Sequence, residues 1–288
     1  MPAQRDAYLA ATGALLIWAG FVPVSRLAGT GALTAWDVTA LRFGTAAVLL
    51  LPLLWWRGAA FLFTPRMLAL ALCGGIGYAL FVYSAFTLAP ATHAAILLPG
   101  VLPFWTALMA WLVLRDVPDR DRTLGLGFIA AGVACMAFEQ LRGSPVSPLG
   151  DALFLCGSLS WAVYTVLLRR WQVPAWDATA GVALLSALLY LPLWAWLLPS
   201  RLDAAPAGEV ALQSLYQGVL VVIVAMVLFV RAQAALGPLR LNMFMAMVPV
   251  LATLLSVPLL GEPLSAWPLL GLLCVSVGAL QPWRLLRR

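Results

Sequence analysis

The chain of 288 residues is 64% hydrophobic and only 10% charged, with a mean hydropathy of +0.98. That balance excludes a water-soluble domain, and the length suits one polytopic membrane domain with no room for a soluble one. The formal net charge of +6 rests on arginine, since Lys is absent, and the arginines stand singly or in pairs at the ends of apolar runs. They are topology signals, not a nucleic-acid-binding stripe.

A helix needs about 20 apolar residues to cross the hydrocarbon core. On that ruler the sequence predicts about ten spans: 7–27, 36–56, 66–88, 92–114, 123–141, 149–169, 176–198, 210–231, 239–260 and 266–283. Only Met1 to Asp6 precede the first, and Trp18, Pro23 and Arg26 stand where a signal peptide would be processed, so it is read as a retained span. Connections are short and marked by Gly, Pro or charge, as at Gly29-Thr30-Gly31 and Arg115-Asp116-Val117-Pro118-Asp119. The longest polar stretch, Ser200 to Glu209, separates the seventh and eighth spans.

The first span carries Trp18 near its centre. The second opens on Trp36-Asp37, a carboxylate placed to cap free amides, and carries Arg42 about two turns in. An intramembrane Arg costs several kcal/mol unless paired or hydrated, which makes function the default reading and snorkelling the alternative. The third span reads Gly74-Gly75-Ile76-Gly77-Tyr78 and then Tyr83-Ser84. Its glycines serve close helix packing, whereas a phenol at membrane depth needs a hydrogen-bond partner.

The fourth span opens on Pro90-Ala91-Thr92-His93, with His93 read as interfacial and structural, and continues to Gly100, Pro103, Trp105 and Trp111. Trp161 and Tyr164 lie in the sixth span and Pro249 in the ninth. Mid-span prolines free backbone carbonyls towards a cavity, and the aromatics form a wall for apolar or cationic ligand parts. The substrate-binding candidates are therefore Trp18, Arg42, Tyr78, Tyr83, Pro103, Trp105, Trp161, Tyr164 and Pro249.

Half the positions from Ala35 to Trp56 recur 140 residues later, beginning with Ala175-Trp176-Asp177-Ala178-Thr179-Ala180. Pro103, Asp116, Gly125 and Gly132 return as Pro249, Glu262, Gly271 and Gly278, again at one constant spacing. The chain is read as a duplication, residues 1–146 and 147–288, divided near Ser144-Pro145-Val146-Ser147-Pro148. Each half holds an odd number of spans, so the second enters the membrane upside down, and a site belongs near the midplane between the halves.

Arg5, Arg57, Arg66, Arg115, Arg120, Arg122, Arg169, Arg170, Arg231, Arg240, Arg284, Arg287 and Arg288 share one side, against Arg26, Arg142 and Arg201 on the other. By the positive-inside rule both termini are cytoplasmic. No Asp or Glu lies near the centre of a span, which argues against a carboxylate proton relay. Cys73, Cys135, Cys156 and Cys274 have neither CxxC spacing nor a neighbouring His, so no metal or cofactor is expected. One His and no paired carboxylates also argue against an enzyme, and no filter repeat points to a channel.

Trp18-Ala19-Gly20, Leu41-Arg42-Phe43, Pro103 leading to Leu114-Arg115-Asp116, Ser160-Trp161-Ala162-Val163-Tyr164, and Pro249 leading to Leu259-Leu260-Gly261-Glu262-Pro263 resemble the EamA family of the drug/metabolite transporter superfamily. The first half departs from the family pattern, with Arg115-Asp116 where Gly-Glu is usual. The resemblance implies an all-α, ten-helix exporter of the cell inner membrane, its cavity lined by spans one, three, four, six, eight and nine. Members similar to this chain export amino acids and their derivatives, and others move nucleotide sugars, drugs or metallophores. An importer of a similar metabolite and a broad efflux protein are the alternatives. The expected partners are a small-molecule cargo and membrane lipid; cargo identity, coupling ion and oligomeric state are not written in the sequence.

Overall fold

The computed structural model describes residues 2–54, 58–141, 146–262 and 264–283. Trp56, where the second span was expected to end, lies outside them. So do Arg57, Arg142, Ser144, Pro145, Pro263, Arg284, Arg287 and Arg288. Among the described residues the protein is all-α, without a strand. The helices that carry the spans are α1 (Pro2–Thr30), α2 (Ala35–Leu50), α3 (Pro65–Leu88), α4 (Ala91–Leu114), α5 (Arg120–Leu141), α6 (Pro148–Trp171), α7 (Ala175–Leu197), α8 (Ala207–Gly237), α9 (Val248–Leu260) and α10 (Ala266–Leu280).

α1 and α3 to α8 are each long and apolar enough to cross a bilayer, whereas α2, α9 and α10 are shorter. Large apolar side chains such as Leu9, Val48, Trp196 and Leu254 stand more than half exposed on the flanks, a surface that belongs in lipid. The protein is a multi-pass membrane protein.

The ends of these helices follow local chemistry. Thr34 caps α2 by accepting from the Asp37 amide, while Asp37 accepts from the Thr34 amide in return. Thr64 caps α3 ahead of Pro65, whose missing N–H costs nothing in a first turn. α9 stops at Gly261, where a φ of 64° suits glycine.

Helix packing repeats the sequence echo. α2 lies on α8 as α7 lies on α3, and α1 packs on α8 and α9 as α6 packs on α3 and α4. The remaining large contacts, α2 with α7 and α5 with α10, pair each helix with its own counterpart. This is the pattern of a pseudo-two-fold axis. A Cβ on Gly125 would lie 2.6 Å from the Gly278 carbonyl, and one on Gly132 would lie 2.8 Å from that of Gly271. Since Gly271 and Gly278 are the echoes of Gly125 and Gly132, each contact is the other rotated about the axis.

Two helices differ from the expectation of continuous spans distorted by prolines at their middles. In α4 the α-helical hydrogen bonding gives way over Ile96–Gly100, and Pro103 is one of the first residues of the stretch that resumes at Leu102. The ninth span, expected over 239–260, is also broken. Gly237 turns the chain with a φ of 77°, a helical stretch ends at Met245, and Pro249 stands in the first turn of α9. Proline starts these helices because a first turn does not use its N–H, so neither residue kinks a continuous helix. Wide π-type turns also occupy Ala71–Gly77 of α3 and Ser214–Val224 of α8, which are counterparts in the two halves.

Candidate functional site

Arg42 is 6% exposed and does not snorkel. α2 brings it against the π-type stretch of α8, where Gly218 lets the backbones close: a Cβ there would lie 2.6 Å from Thr45 and 3.1 Å from the Arg42 carbonyl. Arg42 Nη1 donates to the Tyr83 hydroxyl at 3.2 Å, and that hydroxyl donates to Gln217 Oε1 at 3.0 Å. Gln217 Nε2 reaches the Ser25 hydroxyl at 3.0 Å and Gln213 Oε1 at 3.2 Å, and Gln213 Nε2 ends the chain on the Val24 carbonyl at 2.9 Å. One polar thread thus crosses from α2 through α3 and α8 to α1.

No carboxylate pairs with Arg42 among the described residues. Its guanidinium lies 5.9 Å from the Tyr78 ring centre and 6.0 Å from that of Phe21, at the outer limit of cation–π attraction. A hydrogen bond to an uncharged hydroxyl and two rings at the limit of reach give the buried cation no counter-charge, and they do not offset the several kcal/mol that its burial costs. At the echoed position of the other half stands Val182, packed beside Gly75. The fold is pseudo-symmetric; the charge is not.

An aromatic chain leads away from Arg42. Tyr78 meets Trp161 with ring centres 5.0 Å apart, and Trp161 meets Tyr164 at 4.9 Å. Tyr164 is buried over Gly74, which any side chain would push aside. Arg42, Tyr78, Tyr83, Trp161 and Tyr164 are therefore contiguous.

The other sequence candidates stand apart from that chain. Trp18 packs on Phe229 of α8 at 5.2 Å, and Trp105 packs on Phe104 with its indole N–H buried and without a hydrogen-bond partner among the described residues. Pro103 is exposed and Pro249 buried, its carbonyl taken by the Thr253 hydroxyl at 2.9 Å. Trp111, expected in the interior, is 45% exposed. Sequence reasoning passed over Phe21, Ser25, Gln213 and Gln217. The signal was present: two glutamines four residues apart share one face of an apolar helix, and buried amides require partners.

At the arginine-poor end, carboxylates tie spans together. Asp37 accepts from the Ser200 hydroxyl at 2.6 Å, the Trp194 indole at 3.0 Å and the Arg201 amide at 2.9 Å. Glu209 accepts from the amides of Ala32 and Leu33, and Glu262 pairs with Arg26 Nε at 2.8 Å while capping α4 at the Ala91 and Thr92 amides. His93 was expected at an interface. It lies in the first turn of α4 and is 2% exposed, because that turn is covered by α1, α6 and α9.

The profile of the EamA-like transporter family matches residues 6–138 and again residues 148–281, one copy on each half. The chain belongs to the EamA-like transporter family. A Pseudomonas aeruginosa protein named uncharacterized protein PA1977 is 31% identical to this EamA chain over 283 residues, covering 92% of it and 90% of the relative. The uncharacterized transporter YyaM of Bacillus subtilis is 25% identical over 224 residues, covering 74% of this chain and 71% of the relative. A protein of known crystal structure, 24% identical, superposes with a TM-score of 0.65 over 99% of this EamA chain and 98% of its own, which bears on the fold alone.

Proposed function

We propose that this EamA transporter exports a small metabolite bearing a carboxylate, an amino acid or a derivative of one, across the cell inner membrane. The reading rests on one observation: the buried guanidinium of Arg42 has no carboxylate of its own among the described residues. An anionic group on the cargo supplies the missing counter-charge, bidentate in the manner that suits guanidinium. Tyr83 accepts from the guanidinium and is itself fixed by Gln217, which orients the remaining guanidinium N–H groups. The Tyr78, Trp161 and Tyr164 rings receive the apolar part of the cargo, and Trp18, Trp105, Pro103 and Pro249 border the route to it.

Orientation follows from arginine placement, with both termini cytoplasmic and the arginine-poor end outside. The ties made by Asp37, Glu209 and Glu262 hold that outer end shut, so cargo loads from the cytoplasm. The direct experiment compares amino acids and their acylated or amidated derivatives in medium and cytoplasm, with and without the protein. The expected result is outward enrichment of a carboxylate-bearing compound, lost in Arg42→Gln. Enrichment of compounds without an anionic group, unchanged in Arg42→Gln, overturns the reading.

A further inference from the structure

The first turn of α4 buries the chain's single histidine between two carboxylates from other spans. His93 Nδ1 lies 2.8 Å from Asp151 Oδ1 on α6, and Nε2 lies 3.5 Å from Glu139 Oε2 near the end of α5. Glu139 Oε1 accepts from the Ser265 hydroxyl, the residue that precedes α10. The side chains of His93, Asp151 and Glu139 are 3%, 12% and 16% exposed. The other charged groups facing this turn are Glu262, which caps it at the Ala91 and Thr92 amides, and Arg26 of α1, which neutralises Glu262.

A neutral imidazole has one N–H to share between these neighbours. With the hydrogen on Nδ1, Asp151 is served, and the bare Nε2 faces the lone pairs of Glu139 Oε2. That oxygen is buried and has no hydrogen-bond partner among the described residues. With the hydrogen on Nε2, the bare Nδ1 faces Asp151 at a separation that needs a hydrogen between the two atoms. Either way two carboxylate charges stay buried around a neutral ring. A doubly protonated ring donates to both and leaves one net negative charge in place of two.

We propose that His93, Asp151 and Glu139 form a binding site for a single proton, whose occupancy locks together the ends of α4, α5, α6 and α10. Release of the proton withdraws the donor from Glu139 and sets its charge against the ring lone pair, so α5 and α10 loosen from α4. Parting of these ends is what cargo release on this side requires. A proton arriving from the same side then closes it again, so the proton gates this end without crossing the membrane. The site stands on its own geometry; only the naming of its end as external rests on the function proposed above.

Because His93 is the sole histidine, 15N-histidine labelling of the whole protein in nanodiscs, purified on a histidine-free tag, gives a spectrum of one ring. At about pH 7, just above the ordinary imidazole midpoint, wild type is expected to show both nitrogens protonated, and Asp151→Asn and Glu139→Gln to show a neutral ring. A wild-type ring with one bare nitrogen overturns the site, a result that needs no variant to fold. For the lock, amide exchange of residues 91–95 is followed from about pH 6 to about pH 8 and corrected for the chemistry of exchange itself. Opening in wild type should rise by up to about tenfold per pH unit, the limit for linkage to one proton, and the Glu139→Gln response should be flat. A flat wild-type response, or the same response in Glu139→Gln, overturns the lock. Neither reading uses cargo, so failure here is distinct from failure of the carboxylate-export reading.

Discussion

Gly125 of α5 sits so close to Gly278 of α10 that a side-chain carbon on it would fall 2.6 Å from the Gly278 carbonyl. The rotated contact, Gly132 on Gly271, repeats this a short distance along the same pair of helices. The seam leaves no room for a side chain, whereas Gly127 of the same helix has open space around it.

Gly125→Leu and Gly278→Leu are therefore expected to destabilise the protein by about 3 kcal/mol or more, the upper range for overpacking, with α5 and α10 forced apart. Gly127→Leu should be near neutral. Thermal unfolding in detergent of the three variants checks this. Equal effects of Gly125→Leu and Gly127→Leu would show that the seam does not carry the packing.

Residue Val117 follows the end of α4 and is 72% exposed, while Ala266 opens α10 and is also exposed. In an inverted repeat with both termini inside, Val117 faces the cytoplasm and Ala266 the outside. Single cysteines at these positions, in a background lacking Cys73, Cys135, Cys156 and Cys274, should react with impermeant maleimide from opposite sides of the membrane. Labelling of both from one side contradicts the inverted topology.

Much of this architecture was legible in the chain. Apolar run length located most spans to within a few residues, although α8 runs on to Gly237 and α9 begins only at Val248. The echo of Gly125 and Gly132 in Gly271 and Gly278 marked the repeat whose contacts the fold pairs. The breaks were not legible. Pro103 and Pro249 look like mid-span prolines because apolar sequence runs through both sides of each break; only backbone hydrogen bonding separates a kinked helix from two helices in series. The burial of His93 was not legible because its partners, Glu139 and Asp151, are far from it in sequence and on different spans. The polar thread was half visible: Arg42 and Tyr83 stood out, but Gln213 and Gln217 make sense only once α8 is seen against α1 and α2.

Removing the Tyr83 hydroxyl breaks that thread at its centre. Tyr83→Phe leaves both Arg42 and Gln217 short of a buried partner, at a cost of about 1–3 kcal/mol. Transport should weaken because the guanidinium loses its orientation. Tyr164→Phe keeps the ring over Gly74 and should change stability by less than about 0.5 kcal/mol. Unfolding midpoints and transport rates of the two variants, measured side by side, separate a hydroxyl effect from a ring effect.

Glu262 joins Arg26 to the first turn of α4 and belongs to the second half of the chain, so it holds the halves together at one end. Glu262→Ala strands the partly buried Arg26 and uncaps α4, and should cost about 3 kcal/mol, near that of breaking a buried pair. Glu262→Gln, which keeps an acceptor for the Ala91 amide but loses the charge, should cost less. Unfolding at low and high salt tests whether the pair is shielded: its side chains are 19% and 12% exposed, and the loss should persist in salt.

The measurement closest to the central claim replaces Arg42 by Met and reads stability and transport on the same preparation. A buried cation without a counter-charge destabilises the empty protein, so Arg42→Met should raise the unfolding temperature while transport of carboxylate-bearing cargo is lost. Addition of that cargo should stabilise wild type and leave Arg42→Met unmoved. Loss of stability in Arg42→Met, with cargo transport retained in the fraction that folds, would contradict the assignment of Arg42 to the cargo.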